Sequence, residues 1–150
     1  MHIEIAKSVK YGKYKPLLPQ LSRYIKYLEK RVDRFYDHLN LPSGLKIHFR
    51  PISPIQNLHG RYLYEKKRAE IEFRQYSRKS ISLTICHELI HAEQYFEGRL
   101  YSDHLNFYWK GKKWMNQKKI STLSDYYSQP WEAEAVKREQ NFYKKVFKLH

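Results

Sequence analysis

The stretch TICHELIHAEQ, residues 84–94, carries two histidines four positions apart, with a glutamate directly after the first. On a helix, His87 and His91 lie one turn apart on one face, so both imidazoles can reach a single metal ion. Glu88 lies beside them and can take a proton from a water on that ion without being a ligand. The pattern predicts a catalytic zinc (Zn²⁺) site with Glu88 as general base. The alternative is a pair of partly buried histidines beside a surface charge.

A catalytic zinc takes three protein ligands and keeps one position for water, so a third ligand is expected downstream. Glu97 falls where the metzincin pattern has its last ligand, but that pattern requires glycine at position 94 and this chain has Gln94. His104 follows the motif at a distance comparable to the third histidine of SprT-like proteases, without the glycines that usually flank it. The segment QPWEAEAVKRE offers two more alternatives, Glu132 and Glu134.

Helical geometry separates Glu132 from Glu134. At about 100° per residue, the residues that share the face of Glu132 are mostly apolar: Ala135, Val136, Glu139, Tyr143, Val146 and Phe147. Those that share the face of Glu134 are polar: Arg138, Asn141, Lys145 and Lys148. A carboxylate on an apolar face is costly unless it is paired or binds a metal. Glu132 is therefore predicted as the third ligand, and Glu134 as a solvated charge beside Arg138.

Two supporting roles remain around such a site. Glu139 lies two turns after Glu132 and could accept the free N–H of one of the metal-binding histidines, or form an ordinary salt bridge. A tetrahedral intermediate needs a donor for its oxyanion, for which Tyr126 and Tyr127 carry suitable hydroxyls. His104 is the other option for this donor. The alternative, which we favour for each tyrosine, is an ordinary packing residue.

Three motifs in this order, HELIHAEQ, YWKGKKW and YYSQPWEAEA, resemble those of the small gluzincin-type metallopeptidases of phages and bacteria. The SprT-like proteases are a more distant resemblance. The likeness covers roughly residues 80–140. It implies a minimal zincin fold, zinc bound by His87, His91 and Glu132, and Glu88 as general base in the hydrolysis of peptide or amide bonds. It implies no particular substrate.

The elements that must position these residues follow from the spacing of apolar side chains. Spacings of three and four predict helices over residues 17–39, from 77 or 80 to 97, and from 131 to the end. Alternation predicts strands over 45–50, 60–67 and 69–75, the last two joined by a turn near 66–68. FYWKGKKW predicts an aromatic hairpin turning at Gly111, and residues 117–129 are predicted to be irregular. Grouped strands indicate one α+β domain over residues 1–150, with a mainly antiparallel sheet of about three strands.

Two of these segments have alternative functional interpretations. The segment AEIEFRQ could be a sheet edge that pairs with an extended peptide, or simply a half-buried strand. The hairpin FYWKGKKW mixes aromatic residues with lysines, which suits stacking on nucleic-acid bases. It equally suits a hairpin whose tryptophans cap the core beside the metal site, and we favour this second interpretation.

Composition limits the class of protein. The net charge of +14 favours partners such as nucleic acid, although the lysines and arginines are spread along the chain. One cysteine, Cys86, excludes an internal disulfide and favours a reducing cytosol. There is no signal-peptide pattern and no apolar run of about 18 residues that would span a membrane. We therefore expect a cytoplasmic zinc peptidase acting on protein or peptide, and we assume that it is a monomer. The alternatives are a SprT-like nucleic-acid-associated protease and a non-catalytic module stabilised by zinc.

Overall fold

A computed structural model describes residues 1–51, 59–73, 77–103, 105–116 and 121–148, with the backbone alone at residues 115 and 116. The strands are β1 (His2–Ile5), β2 (Lys46–Phe49), β3 (Gly60–Leu63), β4 (Arg68–Ile71), β5 (Leu100–Ser102), β6 (Asn106–Trp109) and β7 (Lys112–Asn116). The helices are α1 (Lys7–Tyr11), α2 (Leu18–Glu29), α3 (Val32–His38), α4 (Arg78–Phe96), α5 (Leu123–Ser128) and α6 (Pro130–Phe147). The class is α+β, as predicted. No helix among the described residues is long and apolar enough to cross a membrane.

The first sheet has four strands in the order β1-β2-β4-β3. Strands β1, β2 and β4 are parallel, and only β3 pairs antiparallel, with β4. The predicted mainly antiparallel arrangement is therefore wrong for this sheet. The predicted hairpin is present between β3 and β4, but β4 lies between β2 and β3, and β1 had not been predicted at all. Pairing partners such as His2 and Lys46 are far apart in sequence, so local alternation does not reveal their direction.

One face of this sheet packs on α4. Its inward residues are fully buried: Ile47, Phe49, Ala69 and Ile71. They meet the predicted stripe of α4, Ile81, Ile85 and Leu89, which is also buried. Fully burying each such aliphatic side chain contributes about 1.5–3 kcal/mol, so this layer supplies much of the free energy that holds α4 under the sheet.

The opposite face of the sheet carries a buried carboxylate. Glu70 on β4 has no solvent exposure and accepts hydrogen bonds from Arg50, Arg61 and Arg68. Burial alone raises the pKa of this carboxyl, but the guanidiniums outweigh it and hold the pKa of Glu70 below its ordinary value.

The predicted helix over residues 17–39 is interrupted. Residues Lys15–Leu17 form a turn of 3₁₀ helix, α2 ends at Glu29, and α3 begins at Val32. Arg31 has left the helical region, with φ −116° and ψ 0°. The bend keeps the spacing of apolar residues but redirects the chain, so that Phe35 meets Phe142 of α6 at a ring distance of 5.9 Å. The spacing of apolar residues therefore cannot reveal this break, because the spacing continues unchanged on both sides of it.

Helix α4 has the ends that its sequence predicts. The Ser77 side chain accepts a hydrogen bond from the Ser80 amide at 3.4 Å, which makes Ser77 the N-cap and settles the choice between the two serines. Gly98 follows the helix with φ +74°, the left-handed conformation that glycine adopts without strain. The nineteen residues between carry the two histidines of the motif.

The second sheet is antiparallel, in the order β5-β6-β7. Lys110 and Gly111 both have positive φ, 51° and 82°, which is the two-residue turn that suits a hairpin, as predicted at Gly111. Strand β5 had not been predicted. Nor had α5, which lies in a segment predicted to be irregular. Its N-cap, Thr122, accepts a hydrogen bond from the Asp125 amide at 3.0 Å, a short capping signal inside a polar stretch.

Candidate metal centre

Three side chains from two helices converge at one point. His87 and His91 come from α4 and Glu132 comes from the first turn of α6. His87 Nε2 lies 2.9 Å from Glu132 Oε2, and His91 Nε2 lies 2.9 Å from Glu132 Oε1. The two Nε2 atoms are 3.2 Å apart, and one donor atom from each of the three residues lies within 4.8 Å of the others. This group could hold a metal ion, because its donor set of two imidazoles and one carboxylate suits a divalent cation.

Local sequence explains how Glu132 reaches the two histidines. Pro130 occupies the first position of α6, where a missing N–H costs nothing, and Trp131 anchors the turn with 3% exposure. Helix α6 packs along α4, and Glu132 faces inward with 4% exposure. The predicted inward orientation of Glu132 is confirmed. Val136, which was assigned to the same face, is 44% exposed and lies at its solvent edge.

Each imidazole is oriented by its second nitrogen. His87 Nδ1 lies 2.7 Å from Glu139 Oε2, so Glu139 takes the role of hydrogen-bond acceptor that had been one of its two alternatives. His91 Nδ1 lies 2.8 Å from Gln94 Oε1. An amide or carboxylate oxygen can only accept, so both Nδ1 atoms donate and both Nε2 atoms face the shared point.

Sequence reasoning missed Gln94 as a partner of His91, although a spacing of three on a helix brings side chains together. Gln94 is fully buried, and its Nε2 donates to the Trp131 carbonyl at 3.0 Å and to Glu134 Oε2 at 3.2 Å. Glu134 also accepts two hydrogen bonds from Arg99, at 2.9 and 2.6 Å. The prediction that Glu134 is a solvated charge is therefore wrong, although its predicted neighbour Arg138 does donate to it at 2.8 Å.

The electrostatics of the cluster favour a cation. Burial alone would lower the pKa of His87, but hydrogen bonds with Glu132 and Glu139 outweigh it and raise that pKa to about 10. Burial alone would raise the pKa of Glu132, but the two imidazoles outweigh it and hold that pKa well below the ordinary range. The carboxylates thus stabilise positive charge at the point where the imidazoles meet, whether it comes from a proton or from a metal ion.

Glu88 lies at the junction of two adjoining clefts. One cleft is lined by His91 and Glu132 among others, and the second by His87 and Glu139. Glu88 lines both and is only 6% exposed. Burial raises the pKa of its carboxyl, partly offset by the positive imidazoles. Glu88 therefore lines both clefts and does not belong to the group of His87, His91 and Glu132 that could hold a metal ion.

Gly60 at the start of β3 lies directly over Glu88, and sequence reasoning had not singled it out. A Cβ at this position would lie 2.6 Å from Thr84 Cγ2 and 3.1 Å from Glu88 Cγ. Only glycine lets the strand approach α4 this closely. An isolated glycine at the start of a strand is the signal that could have indicated such an approach.

The tyrosines predicted as oxyanion donors occupy different places. The Tyr126 hydroxyl donates to Glu132 Oε1 at 2.8 Å, and burial together with Glu132 strongly raises the pKa of this phenol. Tyr127 is 50% exposed and packs edge-on against Tyr126 at a ring distance of 5.3 Å. The geometry therefore brings Tyr126 to the cluster and leaves Tyr127 at its rim. His104, the other option as donor and as third ligand, lies outside the described residues.

The cleft beside His91 and Glu132 has aromatic walls: Tyr62, Tyr95, Phe107, Tyr126 and Trp131. Phe107 packs at a tilt against Trp131 with ring centres 4.8 Å apart, and Trp109 lies 6.3 Å from Trp131, so the interpretation that we favoured holds for Trp109, one of the two tryptophans of the hairpin. Trp114, by contrast, is 49% exposed.

The strand that borders this cleft is β3, which lies at an edge of the described sheet. Residues 69–71 of AEIEFRQ belong to the central β4, so the alternative that this segment is an edge is wrong.

Comparisons with protein-family models, with curated proteins and with solved structures each gave no match. The resemblance to gluzincin-type metallopeptidases therefore stays a prediction carried by the sequence motifs.

Proposed function

We propose that this protein is a zinc-dependent peptidase that hydrolyses peptide or amide bonds. The observation that carries the proposal is the convergence of His87, His91 and Glu132 on one point, with Glu88 in the adjoining clefts. A buried carboxylate that lies beside a metal-binding group without joining it is what a general base requires. A zinc site that only stabilises the fold does not need a general base.

The residues have separate roles in this proposal. His87, His91 and Glu132 hold the zinc, which when bound acidifies a water and polarises the scissile carbonyl. Glu88 takes the proton of the attacking water on its carboxylate and passes it to the nitrogen of the leaving amine. Tyr126 holds the ligand carboxylate in place through its hydroxyl, and this hydroxyl is the donor that the site would offer to a developing oxyanion.

The rival function is a non-catalytic module in which zinc only stabilises the fold. A structural zinc has four protein ligands. In the part of the chain that the structure describes, no fourth histidine, cysteine, aspartate or glutamate joins the group of three. This favours the catalytic proposal, since an open position is where water and substrate would bind.

The test compares zinc content and hydrolysis in matched variants. The purified protein is loaded with zinc, its metal content is measured by mass spectrometry, and it is incubated with a mixed peptide library. We expect Glu88→Gln to keep one zinc per chain and to lose about 10²–10⁴ in rate. We expect Glu132→Ala to lose the zinc itself. Glu29→Gln, on the exposed surface of α2, is the control and should behave as wild type.

Two results would contradict the peptidase proposal. A wild-type protein that takes up no zinc after loading would exclude the metal centre itself. A protein that takes up zinc and gains stability from it, but cleaves no peptide and is indifferent to Glu88→Gln, would support the stabilised module instead.

A further inference from the structure

A ladder of stacked aromatic rings lies at the end of α6 remote from the metal group. Tyr27 of α2 stacks on Phe147 at a ring distance of 6.0 Å, and Phe147 stacks on Tyr143 at 5.4 Å. Two guanidiniums lie over the Tyr27 ring. The central carbon of Arg31 is 3.6 Å from the ring centre, and that of Arg78 is 4.4 Å away. These cation–π contacts hold both arginines in defined positions.

Two more cations adjoin this ladder. Arg34 donates from Nη1 to the Val146 carbonyl near the end of α6 at 3.0 Å. The ammonium of Lys148 lies 5.9 Å from the centre of the Tyr143 ring. We call Arg31, Arg34, Arg78 and Lys148 the basic helix-end patch. It brings together residues from the junction of α2 and α3, from α4 and from the end of α6, and Arg31 and Lys148 are more than a hundred positions apart in sequence.

The arginines of the patch differ from those of the sheet and of the metal-site network in that they form no ion pair with a described carboxylate. The arginines of the sheet and of the metal-site network all pair with carboxylates: Arg50, Arg61, Arg68, Arg99 and Arg138. None of the four patch cations forms an ion pair with any carboxylate that the structure describes, including Glu29 and Asp33 on the same helices. Four cations without an ion-paired carboxylate form a local group of positive charges in a chain of net charge +14.

We propose that the basic helix-end patch binds the phosphate backbone of nucleic acid. Guanidiniums held in place bind phosphate oxygens with little loss of side-chain freedom, and several adjacent cations suit a polymer of regularly spaced phosphates. Phe147 is buried, and Tyr27 is contacted by Phe147 and by two guanidiniums, so these two rings are not available to stack on bases. Binding is therefore without base preference and strongly dependent on salt.

The composition of the patch favours nucleic acid over an anionic membrane surface. Peripheral membrane helices insert exposed apolar side chains beside their cations. The large apolar side chains that are exposed among the described residues all lie elsewhere: Tyr11, Tyr64, Phe96, Tyr101, Leu105, Trp114, Leu123, Tyr127 and Val136. The patch thus has the charge for either surface but not the apolar anchor that a membrane requires.

The patch and the metal group are separate sites. Fifteen residues of α6 divide Glu132 from Phe147, which is about 22 Å at the rise of an α-helix. Neither the metal ligands nor Glu88 belongs to the patch, so this proposal does not depend on the peptidase proposal. If both hold, nucleic acid would bring the enzyme to protein substrates bound on the same polymer.

The test measures binding of the full chain to a short fluorescent duplex, and to one of its single strands, by fluorescence anisotropy between about 50 and about 200 mM salt. The patch variant is Arg78→Gln with Lys148→Gln, both exposed positions. The control is Lys10→Gln with Lys66→Gln, which removes the same charge from exposed positions elsewhere. On the duplex, we expect the patch variant to reduce the slope of log K against log salt by about 1.8, at about 0.9 per lost phosphate contact. The control should keep the wild-type slope.

Three outcomes would overturn the proposal. One is the absence of binding to either nucleic acid at the lowest salt. Another is an equal change of slope in the patch variant and in the control, which would assign the effect to net charge alone. The third is binding only to phosphatidylserine-containing vesicles, with none to nucleic acid. Lys148→Glu is a second, single variant that reverses one exposed charge, and circular dichroism verifies that each variant is folded.

Discussion

Replacing Gly60 with alanine tests whether β3 lies directly on the helix that carries Glu88. The backbone of Gly60 is outside the left-handed region, so alanine is excluded by space and not by φ. The added Cβ would lie 2.6 Å from Thr84 Cγ2, where carbon atoms normally stay about 3.5–4.0 Å apart. Strand and helix must therefore separate by about 1 Å, which costs about 1–3 kcal/mol of overpacking.

Thr84→Ser is the matched second change. It removes Cγ2 but keeps the hydroxyl, which donates to the Ser80 carbonyl at 2.9 Å. Alone, it should alter the free energy of unfolding by less than about 0.5 kcal/mol, because the side chain is only partly buried. Combined with Gly60→Ala, it should recover more than half of the lost stability. The remaining loss comes from Glu88 Cγ at 3.1 Å and the Glu70 carbonyl at 3.2 Å.

The assay is urea unfolding of the wild type, both single variants and the double variant, followed by circular dichroism. The interaction energy of the cycle should lie between about 0.5 and about 3 kcal/mol and favour the double variant. If Glu88 is the general base, Gly60→Ala should also lower the hydrolysis rate about a hundredfold, since a shift of about 1 Å in a catalytic group is enough. A Gly60→Ala protein as stable as wild type, or an absence of rescue by Thr84→Ser, would refute the placement of β3 over α4.

Two further predictions concern buried hydrogen bonds. Glu70→Gln should lower the free energy of unfolding at pH 7 by about 1–3 kcal/mol, a value reduced because its arginine partners are partly exposed. Since the pKa of Glu70 is held below its ordinary 4.5, its contribution is present above that pH and is lost as the pH falls through the folded-state value. Urea unfolding at about pH 3 should therefore show a smaller difference from wild type, and an equal or larger one would contradict this. Gln94→Leu should weaken zinc binding about 10–100-fold in chelator competition because His91 loses its acceptor, whereas Gln94→Glu should retain most of it.

Local sequence patterns predict the elements that carry the chemistry. The two ends of α4 follow from its apolar spacing, a serine cap and a following glycine. The spacing of four between His87 and His91 places both on one face of this helix. Pro130 marks the start of α6, and the apolar residues around Glu132 predict its inward orientation. These features are local, since capping, backbone preference and helical periodicity act over one or two turns. The metal, the reaction and the substrate class stay predictions.

The way in which those elements combine depends on long-range packing. The parallel pairing of β1 with β2 joins residues more than forty positions apart, and the alternation of the strands would be the same in an antiparallel sheet. The alternation within AEIEFRQ would likewise be the same in a central strand and in an edge strand. The sequence therefore does not reveal that β4 is central and that β3 borders the cleft. The break at Arg31 also preserves the apolar spacing on both sides, so it depends on what the two halves pack against.

The partners of the charged side chains were likewise a matter of tertiary structure. Glu134 lies on the side of α6 that is polar in sequence. It nevertheless accepts hydrogen bonds from Gln94 of α4 and from Arg99, which follows α4 in the chain. The lysines and arginines appear evenly spread along the sequence, yet the fold pairs Arg99 and Arg138 near the metal group with carboxylates and leaves Arg31, Arg34 and Arg78 without an ion pair to any described carboxylate. Local spacing sets which way a side chain points on its own helix. What it meets there depends on long-range packing, which a single element does not encode.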